Sequence, residues 1–293
     1  MQINTDGGNL VERDPLKSKG EKVPLAFRLL GMVVPRHPAI NRVYTKSITK
    51  VIMRFLMKED DIYFAVPKDS VIQIDESLTT KNAFLPSQLV HHYLDEARHQ
   101  AIARYCLCRT KMGCRNHPRE YGCLLLGEGV ADGNNLLRHV TKDEAHQYVE
   151  KVRESGLVHT IGRTYADTLA FRFPKRVKDY HKKFMIVCNC CSCCCLARMY
   201  PYGAQSFRDM VLKMPGVEVA VNDKCVGCGV CIESGVCMFG AIRLEGGGSR
   251  KTEDCVGCGR CSEVCPQHAI EITVDERTVV DSIDYLSDIV DVK

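Results

Sequence analysis

Apolar side chains recur at helical spacing in four segments of the chain. These segments are residues 48–56, 86–101, 141–157 and 278–292. The spacing i, i+3, i+4, i+7 predicts an amphipathic helix in each of them. The third segment opens with a capping box formed by Thr141 and Glu144, and Gly156 is its predicted stop.

Patterns typical of β-strands are shorter and cluster near the C-terminal end. Residues 62–74 alternate loosely between apolar and polar and predict short strands. Residues 217–221 alternate more clearly and are predicted to pair with residues 270–274. Residues 241–244 are predicted to form a hairpin across the three glycines at 246–248.

The composition adds one unusual number, because 18 of the 293 residues are cysteine. A chain of this length with 45% hydrophobic residues can bury a core without disulfides. No apolar stretch is long enough to span a bilayer, and residues 1–23 lack the apolar run of a signal peptide. The net charge of +4 is too small to indicate a nucleic-acid binder. We therefore expect a cytoplasmic protein whose thiols bind metal.

The cysteines form three groups, and the last group has a regular spacing. Its eight members lie in a tandem repeat, in which CVGCGVC is followed by CVGCGRC. Three cysteines at C-x2-C-x2-C spacing surround a [4Fe–4S] cluster, and the fourth of each half is too distant along the chain to reach the same cluster. The predicted ligands are Cys225, Cys228, Cys231 and Cys265 for one cluster, and Cys255, Cys258, Cys261 and Cys237 for the other.

The repeat, at about residues 217–275, resembles the two-cluster bacterial-type ferredoxins. Two departures stand in its first half, where five residues instead of three precede Cys237 and Met238 replaces the usual proline. The longer loop is expected to shift the potential of the nearby cluster without removing a ligand. Zinc bound by C-x2-C pairs is the alternative, against which the triple spacing argues.

A second group places six cysteines within eight residues. They are Cys188, Cys190, Cys191, Cys193, Cys194 and Cys195. The adjacent cysteines of a short loop are not expected all to face one tetrahedral ion, so the run is predicted to surround a cluster, with some thiols as ligands and others next to them. Mononuclear zinc and free thiols are the alternatives. The run CNCCSCCC, the GLVH at 156–159 and the tandem repeat together resemble, over about residues 141–275, uncharacterised iron–sulfur oxidoreductase-like proteins of anaerobes. That resemblance implies a third cluster near this run.

The first group is Cys106, Cys108, Cys114 and Cys123. Arginine and lysine residues interleave with these thiols, which favours an anionic cluster compensated by nearby cations. The spacing fits no common ferredoxin signature, so the prediction of a fourth [4Fe–4S] cluster depends on the number and closeness of the thiols. Structural zinc and buried free thiols are the alternatives.

These patterns predict an α+β fold with a mainly helical N-terminal part, cysteine-rich loops, and a ferredoxin-like module with short β-hairpins. The predicted parts are a flexible arm (1–23), a mostly helical cysteine-containing domain (24–200), a connector with the first strand (201–222), the two-cluster ferredoxin module (223–275) and a C-terminal helix (276–293).

The metal sites predict an electron-transfer protein that passes single electrons through several [4Fe–4S] clusters to or from a partner oxidoreductase. No flavin or nicotinamide fingerprint is present, so the partner is expected to contain flavin or metal. Segments 48–56 and 279–290 are the expected docking faces if they are not buried within the chain, and the basic segment 40–58 also suits peripheral contact with an anionic membrane. The alternative function is a reductase whose catalytic centre is an unusual cluster at Cys188–Cys195.

Overall fold

A computed structural model describes residues 60–73, 85–132, 135–171, 179–198 and 208–293. The predicted arm at 1–23 and the whole of the basic segment 40–58 lie outside the described residues, and both stay predictions. Among the helices that the model describes, none is both long and apolar enough to cross a bilayer.

Seven strands form the largest sheet. The strands, numbered along the chain, are β1 (Ile62–Ala65), β2 (Ile72–Gln73), β3 (Gln100–Ala103), β4 (Leu124–Leu126), β5 (Leu137–His139), β6 (Val158–Arg163), β7 (Met185–Cys190), β8 (Val211–Lys213), β9 (Val217–Val221), β10 (Ile242–Glu245), β11 (Gly248–Lys251) and β12 (Ile270–Val274). The order across the large sheet is β5-β3-β4-β7-β6-β1-β8. Its neighbouring strands are antiparallel, except that β1 and β8 are parallel.

Alternation along the strands gives this sheet two different faces. On β7, Met185 and Val187 belong to one core cluster, whereas Ile186, Cys188 and Cys190 belong to another. We call the first the helix-covered face, since buried residues of three helices pack against it. We call the second the cysteine face, because cysteines of β7 and of the neighbouring loops gather there.

The helices among the described residues are short. They are α1 (Ser87–Glu96), α2 (Leu107–Met112), α3 (Lys142–Glu154), α4 (Tyr165–Ala170), α5 (Val230–Glu233), α6 (Arg260–Glu263) and α7 (Thr278–Ser287). Helices α1, α3 and α7 supply the cover of the helix-covered face. The capping box predicted for α3 is confirmed, since the Glu144 amide donates to Thr141 Oγ1 at 3.2 Å and the Thr141 amide donates to Glu144 Oε2 at 2.9 Å.

The two predicted pairings of the ferredoxin-like module are confirmed. Strands β9 and β12 pair antiparallel, from Val217 opposite Val274 to Val221 opposite Ile270. Strands β10 and β11 form the hairpin across the glycines. The short strand β2 adds to β12 in parallel, so the N-terminal part of the chain contributes one edge of the module's sheet.

Helix α7 returns from the module to the large sheet. The Tyr93 hydroxyl of α1 donates to the Ile283 carbonyl of α7 at 3.2 Å, and Leu286 is fully buried. Beyond the helix, the Arg98 amide donates to the Val292 carbonyl at 3.0 Å. The apolar face predicted at 279–290 for docking is therefore covered within the chain itself.

The prediction of a mainly helical N-terminal part is wrong, because six of the seven strands of the large sheet lie among the described residues before 198 and the helices there are short. Leu124–Leu126 and Val158–Arg163 are buried along their whole length and show no two-residue alternation. Leu124–Leu126 is a short apolar run, and Val158–Arg163 mixes apolar and polar residues without a period, so periodicity assigns neither segment to strand or helix. The helix predicted over 86–101 ends at Glu96, and Ala101 lies in β3.

Candidate metal centres

The tandem repeat of the sequence is also a repeat in space. We call the two predicted ligand sets site I (Cys225, Cys228, Cys231 and Cys265) and site II (Cys237, Cys255, Cys258 and Cys261). Left-handed glycines, Gly229 at φ +76° and Gly259 at φ +85°, open α5 and α6 at equivalent places. The Ala241 amide donates to Cys237 Sγ at 3.2 Å, and the Ala269 amide donates to Cys265 Sγ at 3.3 Å. Each fourth cysteine thus receives the same amide hydrogen bond.

Site II surrounds a cavity inside the protein. All four of its cysteines line this cavity, and Val219, Phe239 and Ile272 close it. Cys237 of the first half therefore lies with the three cysteines of the second half, which is the arrangement that crossed ligation requires. Burial raises the pKa of Cys258 to about 11 and also raises that of Cys261. A metal that binds here must displace thiol protons.

Site I lies nearer the solvent. Cys228 is exposed, whereas its counterpart Cys258 is buried. The Ser249 amide donates to Cys225 Sγ at 3.3 Å, and this bond and the Gly227 amide lower the pKa of Cys225. The Ser249 hydroxyl also lies 3.3 Å from Cys231 Sγ. Polar donors and solvent therefore surround site I, while apolar side chains enclose site II.

The fold mixes the two upstream cysteine groups. Cys123 immediately precedes β4, and Cys188 lies in the neighbouring strand β7, where Leu124 pairs with Val187. The Cys123 and Cys188 sulfurs are 3.6 Å apart as a result. Neither group of the sequence forms a site by itself, because each contributes cysteines to the same regions of space.

Four cysteines meet beside the cysteine face, and we call them the sheet-face thiols. They are Cys106, Cys108, Cys190 and Cys195. Cys106 caps α2, where its sulfur accepts the Arg109 amide at 3.5 Å. Cys108 forms hydrogen bonds to Cys106 and Cys195, and the Cys195 sulfur is 3.3 Å from that of Cys190. Two members come from each sequence group.

A second mixed set lies where α2 and β7 both end, and we call it the loop thiols. Its members are Cys114, Cys191, Cys193 and Cys194, whose sulfurs all lie within 4.8 Å of one another. Cys114 follows Gly113, the left-handed C-cap of α2. Three of the six cysteines of the run, among them the adjacent Cys193 and Cys194, belong to this set, and the other three lie outside it.

Hydrogen bonds between thiols are the main cause of the pKa shift of four upstream cysteines. In each of the four, the pKa lies well above the ordinary value. The largest cause is a hydrogen bond to another cysteine, and burial raises the pKa further. These four are Cys108, Cys188, Cys190 and Cys195. Metal binding replaces those protons and is expected to tighten as pH rises.

Two buried arginines lie among the cysteines. Arg109 is 1% exposed and Arg260 is 5% exposed, and within the described residues neither forms an ion pair with a carboxylate. Burial lowers the pKa of Arg109. The electrostatic interactions of its guanidinium with Cys106 and Cys191 raise that pKa by more, so the net shift is upward. By contrast, the equally buried Arg163 pairs with Asp60. A buried guanidinium requires a counter-charge, and thiolates bound to metal supply one.

Arg260 connects the two halves of the molecule. It stands between Cys258 and Cys261 of site II, and its guanidinium donates to the Cys190 carbonyl at the end of β7. Cysteines of site II and of the cysteine face also share one core cluster. The sequence offered no sign of this role, since the first half of the repeat has Val230 at the position equivalent to Arg260.

Asn189 organises the other side of β7. Its backbone carbonyl accepts Arg109 Nη1 at 2.7 Å, and its side chain bonds to His159 Nδ1 at 2.8 Å. Burial lowers the pKa of His159 to about 4, so this ring is neutral at neutral pH. Asn189 was not identified from the sequence, because it lies within the cysteine run. In a strand, the side chain of Asn189 points to the opposite face of the sheet from those of Cys188 and Cys190, and this alternation was the only available signal.

Comparison with known proteins gives one match. The 4Fe-4S binding domain family, Fer4, matches residues 250–271, which hold Cys255, Cys258, Cys261 and Cys265. No curated protein and no solved structure matches the chain. The match supports iron–sulfur binding and a general role in electron transfer. The first half of the repeat lies outside the matched residues and is the half with the longer spacing.

The residues of the module fit the cluster that this match implies. Each set offers four thiols, and backbone amides already point at three of the sulfurs. The Nε atoms of Arg260 and Arg109 are buried without a hydrogen-bond partner in the described residues. Each therefore retains a donor for an anionic group beside it.

Proposed function

We propose that the protein passes single electrons through several [4Fe–4S] clusters to or from a partner oxidoreductase. The sets proposed to hold clusters are site I, site II and the sheet-face thiols. Such a cluster, when bound, accepts and donates one electron at a time. The main observation behind the proposal is the position of Arg260. It stands between Cys258 and Cys261 of site II, and its guanidinium donates to the backbone carbonyl of Cys190, one of the sheet-face thiols.

The amide donors and buried arginines support this function through charge. Hydrogen bonds to cysteine sulfur stabilise the more negative, reduced form of a site. Arg109 and Arg260 add positive charge where burial would otherwise disfavour the reduced form. The chain itself thereby makes reversible reduction feasible in its interior.

Exposed apolar side chains surround site I. They support the proposal that the partner protein binds beside site I. They are Val226, Val230, Ile232 and Leu244. Val226, which lies between Cys225 and Cys228, is 65% exposed. Apolar contacts beside an exposed site bring a partner's redox group close without burying charge. The partner is proposed to contain flavin or metal.

One observation favours the second candidate, a reductase with its own catalytic cluster. The Cys123–Cys188 pair adds two thiols beside the sheet-face thiols, which already supply the four that a cubane needs. Surplus thiols next to a cluster are a feature that substrate reduction can use.

Anaerobic purification from the native source separates these two candidates. Electron transfer predicts a stable flavin- or metal-containing partner, and Val226→Asp should weaken that complex at least tenfold. The control is Val280→Asp on α7, where Val280 is 47% exposed; this variant should bind normally. A lone monomer that reduces a small substrate with an artificial donor would overturn the electron-transfer proposal and favour the reductase.

A further inference from the structure

The loop thiols differ in spacing from the other cysteine sets. Among the described residues, they are the only group of three or more cysteine, histidine or carboxylate side chains whose ligand atoms all lie within 4.8 Å of one another. Neither site I nor site II meets this criterion, although both match the pattern of a [4Fe–4S] ligand set. The sheet-face thiols do not meet it either.

This spacing suits a single ion. Four sulfurs at about 2.3 Å from one tetrahedral metal ion stand about 3.8 Å from one another. The Cys114 and Cys193 sulfurs are 3.6 Å apart. A four-iron cubane is larger than one ion, so its four ligand sulfurs do not all lie within 4.8 Å of one another. The loop thiols are thus arranged for one metal ion.

The surroundings separate the loop thiols from the proposed electron path. Cys114 and Cys191 pack with Val152 and Leu157 in a core cluster of their own. Cysteines of site II and Cys190 belong to a different cluster. An ion at the loop thiols is therefore placed to hold structure, and a closed set of four thiolates is typical of structural zinc.

The backbone around the set is already organised for thiolates. The amides of Asn116 and His117 donate to the Cys114 sulfur. The Arg198 guanidinium donates to the Cys193 carbonyl at 2.6 Å, which fixes the loop after β7. The buried Arg109 side chain also bonds to Cys191 and supplies positive charge beside the set. These contacts are those expected around a metal-bound thiolate group.

We propose that the loop thiols bind one Zn²⁺ ion, which fastens the loop after β7 to the end of α2. This site is separate from the iron–sulfur clusters and goes beyond the proposed electron transfer. It also explains the surplus of cysteines in the run, since three of the six hold zinc and not iron.

The test measures zinc and iron per chain in the full-length protein, purified anaerobically from medium that contains both metals. The wild-type chain should hold about one zinc, and Cys193→Ser should lose it while its iron and sulfide stay unchanged. The matched variant Cys195→Ser, two residues away, should keep zinc and lose about four irons. Ser192→Ala in the same loop should change neither metal.

Several outcomes would overturn the zinc site. They are a wild-type chain without zinc, a Cys193→Ser variant that loses iron in place of zinc, and a single high-spin iron at this position. If Cys193→Ser fails to fold, X-ray absorption at the zinc edge of the wild-type protein decides. Four sulfurs at about 2.3 Å support the site, and fewer sulfurs contradict it. An unchanged iron content in Cys195→Ser would instead contradict the third cluster of the proposed function and leave the zinc site standing.

Discussion

The ferredoxin-like module and the large sheet gather their cysteines in opposite ways. In the module, short spacings and a tandem repeat bring the ligands together, and the equivalent amides at Ala241 and Ala269 repeat the local geometry. On the sheet, neighbouring strands and loop ends join cysteines that stand far apart along the chain, such as Cys123 and Cys188. Local sequence therefore encodes the first kind of site, and tertiary structure creates the second.

The largest effect that tests this contrast is expected from Arg109→Met. The change removes a buried cation beside Cys106 and Cys191 and leaves the carbonyl of Asn189 without its donor. The upstream sites should lose their metal, including about four irons per chain, while the module keeps its own. Iron, zinc and sulfide analysis of the anaerobic protein measures this.

The control for that change is Arg163→Met, which removes an equally buried arginine that pairs with Asp60. It should destabilise the fold by about 3 kcal/mol without changing the metal content of the folded fraction. Equal metal loss in both variants would show that Arg109 acts only on general stability.

The next largest effect is expected from Gly227→Ala in the module. A Cβ at this left-handed residue, φ +69°, would lie 2.2 Å from the Gly247 carbonyl oxygen of the hairpin. Site I should be lost while the large sheet and its metals remain, as followed by EPR and circular dichroism. Gly246→Ala, at φ +60° with nothing within 4 Å of its Cβ, should cost about 1 kcal/mol and retain both sites. Loss of upstream metal in Gly227→Ala would contradict the independence of the two regions.

A smaller effect is expected from Ser249→Ala. The hydroxyl lies 3.3 Å from Cys231 Sγ and is its donor when the sulfur is ionised. Loss of one such bond, worth about 0.5–1.5 kcal/mol, should lower the potential of site I by about 20–65 mV. A redox titration followed by EPR measures the shift, and a matching shift at site II would contradict the assignment.

The smallest effect is expected from Thr141→Ala on the helix-covered face. It removes the cap of α3 and should cost about 1 kcal/mol of stability in denaturant unfolding. Metal content and potentials should stay as in the wild type, because α3 holds no ligand. A change in iron content would show that metal binding depends on the whole scaffold.

The sequence correctly predicted those features of the fold that depend on residues close together along the chain or on a repeated motif. The strand pairing of 217–221 with 270–274, the capping box at Thr141 and the repeat at the module all follow from local pattern. It failed for the strands of the large sheet, because fully buried strands such as Val158–Arg163 lack alternation.

The upstream sites were beyond prediction for a related reason. All ten upstream cysteines were predicted to bind metal, and no finding tests that prediction. Their division into sets depends on which strands are neighbours, and the β4–β7 pairing is not written in the spacing of either group. The wider resemblance to oxidoreductase-like proteins also stays a prediction, since no curated relative matches.

The most direct test of the account is an iron and sulfide count, with EPR at graded potentials, on wild-type protein and Cys108→Ser. Cys108 contacts Cys106 of its own group and Cys195 of the other. We expect about twelve irons in the wild type and about eight in the variant, with the two module signals unchanged. Eight irons in both proteins would contradict a cluster built by the sheet from two distant cysteine groups.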